Sequence, residues 1–274
     1  MSTILLTGAS GFLGTALLTE LARNHKVVTL GRHRPPKSEN HVSYMGVFSE
    51  FEDLRQLDVH AFDAVVHLAA VTGGCLEREG MLVNVEGTRC LMRHLIDRGC
   101  RKFVLASSTA VVGFQNPEFR PLQIPIPDEH PCLDRDGYGL SKYLMEEVAR
   151  YYVRQNSGID VVALRFAALA PDEAMPPKVA VGPSYPWAVG SITMMRRSDA
   201  VRALRLAVES QLKPGLRIMN AVPRKAWIAG PVAEVLRNWW RDDVDLSYFN
   251  ASGREHASIF ASDRIDEELG FVAD

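Results

Sequence analysis

Three groups of residues in this 274-residue chain have types and spacings that could do chemistry. The first is "TGASGFLG", residues 7–14, where Gly8, Gly11 and Gly14 recur at every third position. Glycine at the first two positions lets the backbone turn sharply and come close to a pyrophosphate, whose charge would meet the free N–H groups and positive dipole end of a following helix. Gly14 would let that helix lie against the preceding strand. The second group is Tyr138 and Lys142 in "YGLSK". Four residues apart on a helix they share one face, and an ammonium beside a phenol lowers its pKa from about 10 toward the working range. Tyr138 could then exchange a proton with a substrate hydroxyl or carbonyl. The third group, Ser107, Ser108 and Thr109, closes an aliphatic run at the strand end where ligands bind in open α/β folds.

These residues need a scaffold, and the pattern of the chain supplies one. Short aliphatic runs alternate with longer helical patterns, as in a parallel sheet with crossover helices. The runs predict strands near Thr3–Thr7, Lys26–Leu30, His41–Met45, Ala64–Leu68, Lys102–Ser107, Asp160–Arg165 and Leu216–Asn220. Helices are expected near Phe12–Arg23, Leu76–Arg98, Tyr138–Gln155 and Asp199–Glu209. The fold class expected is therefore α/β, a Rossmann-type doubly wound parallel sheet with a small C-terminal substrate-binding lobe. Residues 1–166 form the dinucleotide-binding core, to which 197–220 return, and 167–196 with 221–274 form the lobe. The periodicity breaks down in the Pro-rich stretch from Ala168 to Tyr185, which reads as a loop shaping a site.

Other features bound the function. A net charge of −2 gives no reason to propose nucleic acid or a membrane as the main partner. The N-terminal "ILL" is interrupted by Thr7 and Gly8, so neither a signal peptide nor an anchor is expected. No apolar run approaches the roughly 20 residues of a bilayer span. Cys75, Cys90, Cys100 and Cys132 are widely separated and form no C-x-x-C pair, which fits reduced thiols in a cytoplasmic protein. The eight histidines show no metal-ligand spacing, so no metal is expected.

The G-x-x-G-x-x-G spacing of "TGASGFLG" resembles the cofactor loop of the extended short-chain dehydrogenase/reductases, the NAD-dependent epimerase/dehydratase family. Further stretches match that family in order: "DAVVHLAA" at 63–70, "NVEGT" at 84–88, "SSTAVVG" at 107–113, "YGLSK" at 138–142, "LRFAALAPD" at 164–172 and "EELGF" at 267–271. The resemblance covers nearly the whole chain. It implies a catalytic set of Ser108, Tyr138 and Lys142, with Ser108 selected by counting five residues back from Gly113 and its hydroxyl holding the substrate oxygen. It implies a cofactor site formed by Gly8, Gly11, Phe12, Leu13, Gly14, Leu68, Ala69, Ala70, Tyr138 and Lys142. Asn84 is expected to position the cofactor or support the proton route, and His67 to be structural.

The second strand bears on the choice of cofactor. NAD-preferring members of the family tend to end it with an acid that accepts hydrogen bonds from the ribose 2′-hydroxyl. Here Gly31 stands at that place, followed by Arg32. A carboxylate would repel a 2′-phosphate, whereas a guanidinium can bind it bidentately. The loop therefore points to NADP, with Arg32 as the main contact and Arg34 as a second. A solvated basic loop beside an NAD site is the alternative.

The chain also departs from the family pattern. Gly46 and Val47 stand where a Gly-Asp pair is common, Val112 where many sugar-nucleotide enzymes have Tyr, and Phe166 where they often have Pro. Thr109 and Ala110 replace the Asp-Glu pair of the dehydratases, which disfavours dehydration. The segments left for the lobe are short and contain Trp187, Trp227, Trp239 and Trp240, which either line an apolar pocket or form the lobe's core. Arg196 and Arg197 either meet an anionic substrate or stay solvated.

The leading expectation is an NAD(P)-dependent oxidoreductase moving hydride between nicotinamide and a carbonyl or secondary alcohol of a small molecule, sugar-derived compounds included. An epimerase that retains its cofactor uses the same three side chains. A non-catalytic dinucleotide sensor is a third possibility, which the complete Ser108, Tyr138 and Lys142 set argues against. Family habit and the apolar faces of the helices near Leu76 and Tyr138 point to a homodimer.

Overall fold

The structure is a computed structural model that describes residues 1–273. Along the chain come β1 (Thr3–Thr7), α1 (Phe12–Leu21), β2 (Lys26–Gly31), β3 (His41–Met45), α2 (Phe51–Arg55) and β4 (Ala64–His67). They are followed by α3 (Glu77–Glu79), α4 (Thr88–Asp97), β5 (Lys102–Ser108), α5 (Gly137–Gln155) and β6 (Asp160–Phe166). The rest comprises β7 (Leu169–Ala170), α6 (Ala188–Ser191), β8 (Met195–Arg196), α7 (Arg197–Glu209), β9 (Gly215–Ala221), α8 (Val232–Trp240) and α9 (Asp263–Leu269).

Seven strands form one parallel sheet in the order β3-β2-β1-β4-β5-β6-β9. All seven lie within one residue of the bounds predicted at either end. Both faces are covered. Ile4 and Leu6 pack into a cluster with Leu17, Leu21, Ala203 and Leu204 of α1 and α7. Leu5, between them, joins Leu91, Leu95, Met145 and Tyr152 of α4 and α5 on the other side. This alternation is the period-two consequence of the pleat, and burial on both faces is why the strands read as unbroken apolar runs. The strand order reverses at β1, where β2 lies on one side and β4 on the other, and in such sheets the reversal opens a crevice at the strands' C-terminal ends.

The single helix expected over Leu76–Arg98 is corrected. Between α3 and α4 the backbone widens into a π-helical stretch, Gly80–Gly87. The Thr88 hydroxyl donates to the Asn84 carbonyl at 2.6 Å, a local bond that competes with the regular α-helical ladder. The Pro-rich stretch is irregular except for β7, which pairs with β8 in a two-stranded sheet. Helices α2, α6, α8 and α9 have no counterpart among the helices expected from the sequence. No helix among the described residues is long and apolar enough to cross a membrane.

Candidate active site

β1 runs into the glycine loop, and the loop into α1. Gly8 sits at φ +73°, and a Cβ there would lie 2.6 Å from the Ala69 nitrogen, so only glycine lets the end of β1 approach the end of β4. Gly14 is tighter still, since a Cβ would stand 2.0 Å from the Gly8 carbonyl oxygen. The N-terminus of α1 has no side-chain cap and no acid in its first turn. Its orphan N–H groups and dipole thus open onto the adjoining cavity.

That cavity, ≈ 740 Å³, runs along the C-terminal edge of the sheet. Gly8, Gly11, Phe12, Leu13, Gly14, Arg32, Leu68, Ala69, Ala70, Ser108, Tyr138 and Lys142 all line it. The structure thus brings together every predicted site residue except Asn84. Arg34 is likewise not on the wall, whereas His33 and Pro35 are. Gly46 to Ser49 form another part of the lining, and their loop is pinned where the Val47 N–H donates to the Asp53 carboxylate at 2.7 Å.

Tyr138 enters at the first turn of α5. Asp136 caps that helix, its carboxylate accepting from the backbone N–H groups of Tyr138 (2.7 Å) and Gly139 (3.1 Å). An Asp two residues before the tyrosine was the available signal for this cap. Lys142, buried one turn further on, donates to the Ala106 carbonyl at 2.8 Å. Ser108 ends β5, and its hydroxyl accepts from the Ala110 N–H at 3.1 Å.

The expectation that Lys142 pulls the Tyr138 phenol downward is not met. Burial pushes the phenol up, and the nearby Ser108 hydroxyl is the group that draws it back. The Lys142 nitrogen lies 5.9 Å from the centre of the tyrosine ring and is directed to a backbone carbonyl. Burial pushes its ammonium down to about 8, partly offset by the Glu146 carboxylate one turn below. Glu146 had no sequence signal of its own. It pairs with Arg165 at 2.7 Å, both side chains buried, and accepts from Ser107 at 2.6 Å. Ser107 thus faces this ion pair, and Thr109 donates to the Phe166 carbonyl at 3.1 Å, which leaves Ser108 the hydroxyl of the three nearest the phenol.

Asn84 and His67 belong to a buried network behind the cavity. The Asn84 amide accepts from the Val71 N–H (2.9 Å) and donates to the Val71 carbonyl (3.0 Å) and the Ser141 hydroxyl (2.9 Å). His67 lies between Thr7 (2.6 Å) and Thr88 (3.1 Å). Because the Thr88 hydroxyl donates to the Asn84 carbonyl, it accepts from His67 Nε2–H, and Nδ1 accepts from Thr7. Burial first, and the Lys142 charge second, push His67 down to about 3, so the ring is neutral. Among the described residues no cluster of three or more His, Cys, Asp or Glu side chains could hold a metal ion, and the four cysteines are free thiols.

The four tryptophans divide. Trp187 lines the cavity, Trp239 and Trp240 are buried in the core, and Trp227 donates to the Pro176 carbonyl at 2.9 Å. Phe114, Phe166, Gly73, Gly190 and Ser191 complete the wall at that end. The arrangement places two hydroxyls, Ser108 and Tyr138, where one substrate oxygen could meet both, beside a buried lysine.

The family model described as NAD dependent epimerase/dehydratase family matches residues 4–176. UDP-glucose 4-epimerase of Mus musculus is 29% identical over 192 residues, 61% of this chain and 53% of that one. dTDP-4-dehydro-6-deoxyglucose reductase of Escherichia coli is 26% identical over 176 residues, 57% of this chain and 52% of that protein. The chain thus spans about half the length of the curated relatives it matches. UDP-glucose 4-epimerase from Bifidobacterium longum, solved in complex with NAD+ and UDP, shares the fold with a TM-score of 0.74 at 19% identity, over 100% of this chain and 94% of that one.

Proposed function

Because the chain belongs to the NAD dependent epimerase/dehydratase family, we propose that it is an NADP-dependent oxidoreductase acting on a carbonyl or secondary alcohol of a small molecule. The observation that carries this reading is the single cavity lined both by the glycine loop and by Ser108, Tyr138 and Lys142. The bare N-terminus of α1 and the glycine approach beside Ala69 fit a dinucleotide. Gly8, Gly11, Phe12, Leu13 and Gly14 would hold its pyrophosphate, and Leu68 to Ala70 its nicotinamide side. Arg32 would meet a 2′-phosphate, which favours NADP over the alternative, NAD. Residues 167–196 and 221–274 would serve as the substrate lobe.

A bound reduced nicotinamide supplies hydride, so a carbonyl's C–O π bond is exchanged for a C–H bond while the cofactor is oxidised. Tyr138 gives its phenolic proton to the substrate oxygen, which becomes the alcohol oxygen. Ser108 donates to the same oxygen and fixes its position. Lys142, bonded to the Ala106 carbonyl with its nitrogen 5.9 Å from the centre of the Tyr138 ring, would anchor the ribose of the dinucleotide. Asn84 holds the helix bearing these groups through Ser141.

The second reading, a cofactor-retaining epimerase, is favoured by relatives named UDP-glucose 4-epimerase. Stoichiometry separates the two. A reductase consumes one NADPH per product, whereas an epimerase shows no net consumption. Tyr138→Phe keeps the ring but removes the proton, so turnover should fall by about 10² or more while dinucleotide affinity, measured by calorimetry, stays near wild type. Turnover within a few-fold of wild type would overturn the assignment.

A further inference from the structure

The substrate class can be read from the wall beyond Tyr138 and Ser108, given the reading of the site above. Phe114 and Phe166, largely buried, and Leu169 form that wall, and Trp187 is its outer edge. Trp187 lies at φ +69°, a conformation that bulky residues rarely adopt, and caps the start of α6. It lays its ring against the opposite side of the cavity, where a Cβ on Gly73 would come within 2.5 Å of the indole. An aromatic of the lobe thus closes onto a glycine that follows β4.

Two of the hydroxyls near this wall are already engaged. Ser191 Oγ donates to the Trp187 carbonyl at 3.2 Å and Thr109 to that of Phe166 at 3.1 Å. The neighbouring cations also point elsewhere. Arg196 donates to the Asp172 carbonyl at 3.2 Å, Arg197 lies over the Phe12 ring at 5.3 Å, and Lys178 lies over Trp227 at 5.3 Å. Of the basic residues lining the cavity, Arg32 and His33 follow β2 at the other end and Lys142 is bonded to Ala106. A diphosphate placed against Trp187 and Phe114 would lose its water with no cation there to replace it. A flat apolar group gains contact there at no such cost.

We propose that the substrate is a small uncharged carbonyl compound with a planar apolar body stacked on Trp187, and not a nucleotide-activated sugar. Trp187 and Phe114 are then the residues that set specificity, and Ser108 and Tyr138 meet the one polar end. This separates the chain from the sugar-nucleotide enzymes it resembles while keeping their proton-transfer groups.

Binding can be tested without turnover, by saturating the protein with NADP+ and titrating 1-indanone or UDP-glucose by calorimetry. We expect 1-indanone to bind with a Kd below about 1 mM and UDP-glucose to show no binding at that concentration. Trp187→Ala should weaken 1-indanone roughly tenfold or more, and Trp187→Phe, which keeps an aromatic face, only a few-fold. NADP+ affinity, measured on each variant, reports that the fold is intact. UDP-glucose binding as tightly as 1-indanone, or neither compound binding to an NADP+-loaded protein, would overturn the substrate class and leave the dinucleotide reading standing. Failure of the wild-type protein to bind NADP+ or NAD+ would instead bring down the reading of the site.

Discussion

At the level of single residues, charge and burial decide what each group can do. Arg32 is exposed on the cavity rim after β2, with no ion pair among the described residues. If it meets a 2′-phosphate, Arg32→Ala removes a charge-assisted contact worth about 1.5–3 kcal/mol. NADPH affinity should fall roughly tenfold or more and NADH affinity should hold, by tryptophan quenching. Equal losses for both would mean that Arg32 acts on the adenine or the shape of the loop, and would withdraw the NADP assignment. Lys142 was legible from its spacing to Tyr138, but its lowered pKa was not. That shift comes from burial, which depends on where β5 and α5 meet.

At the level of the elements, the glycine loop is a packing device as much as a binding one. Gly14→Ala forces a methyl into the Gly8 carbonyl, with the Gly8 and Ala9 backbone only 2.7 Å away, so no side chain can yield. It should cost at least about 3 kcal/mol of stability, read from the denaturant midpoint. Gly11→Ala is the contrasting case. Its Cβ would meet only the Gly8 oxygen at 3.2 Å, so the fold should survive while dinucleotide affinity drops. Stability of Gly14→Ala near wild type would mean that α1 can shift away from β1. The π-helical stretch at Gly80–Gly87 carries little apolar periodicity of its own, so the sequence pattern does not distinguish it from the regular helix that follows. The Asn84 side-chain bonds to Val71 and Ser141 arise only when the loop after β4 and α5 are in place.

For the whole molecule, we expect a homodimer. Leu76, Met81 and Leu82 near the start of the interrupted helix, and Tyr151 on α5, stay exposed after both helices have covered the sheet. Burying them against a second copy would remove apolar surface from water. Light scattering at micromolar concentration should give twice the mass of 30.4 kDa, and a monomer would refute it.

The seven strands, the glycine loop and the helical spacing of Tyr138 and Lys142 were legible in the chain before any fold was known. Each is a local pattern whose meaning depends on residues a few positions away: a period of two, a turn that needs φ above zero, a helical spacing of four. Packing between elements is what makes Asn84 tie Val71 to Ser141 instead of standing on the cavity wall, and what turns Trp187, not Trp239 or Trp240, toward the cavity. The same holds for Glu146, which pairs with Arg165 beneath the lysine. These are contacts between elements remote in sequence, set by how the sheet, helices and lobe close on one another. Burial and desolvation, which govern the site's charges, do not exist until that closure is complete.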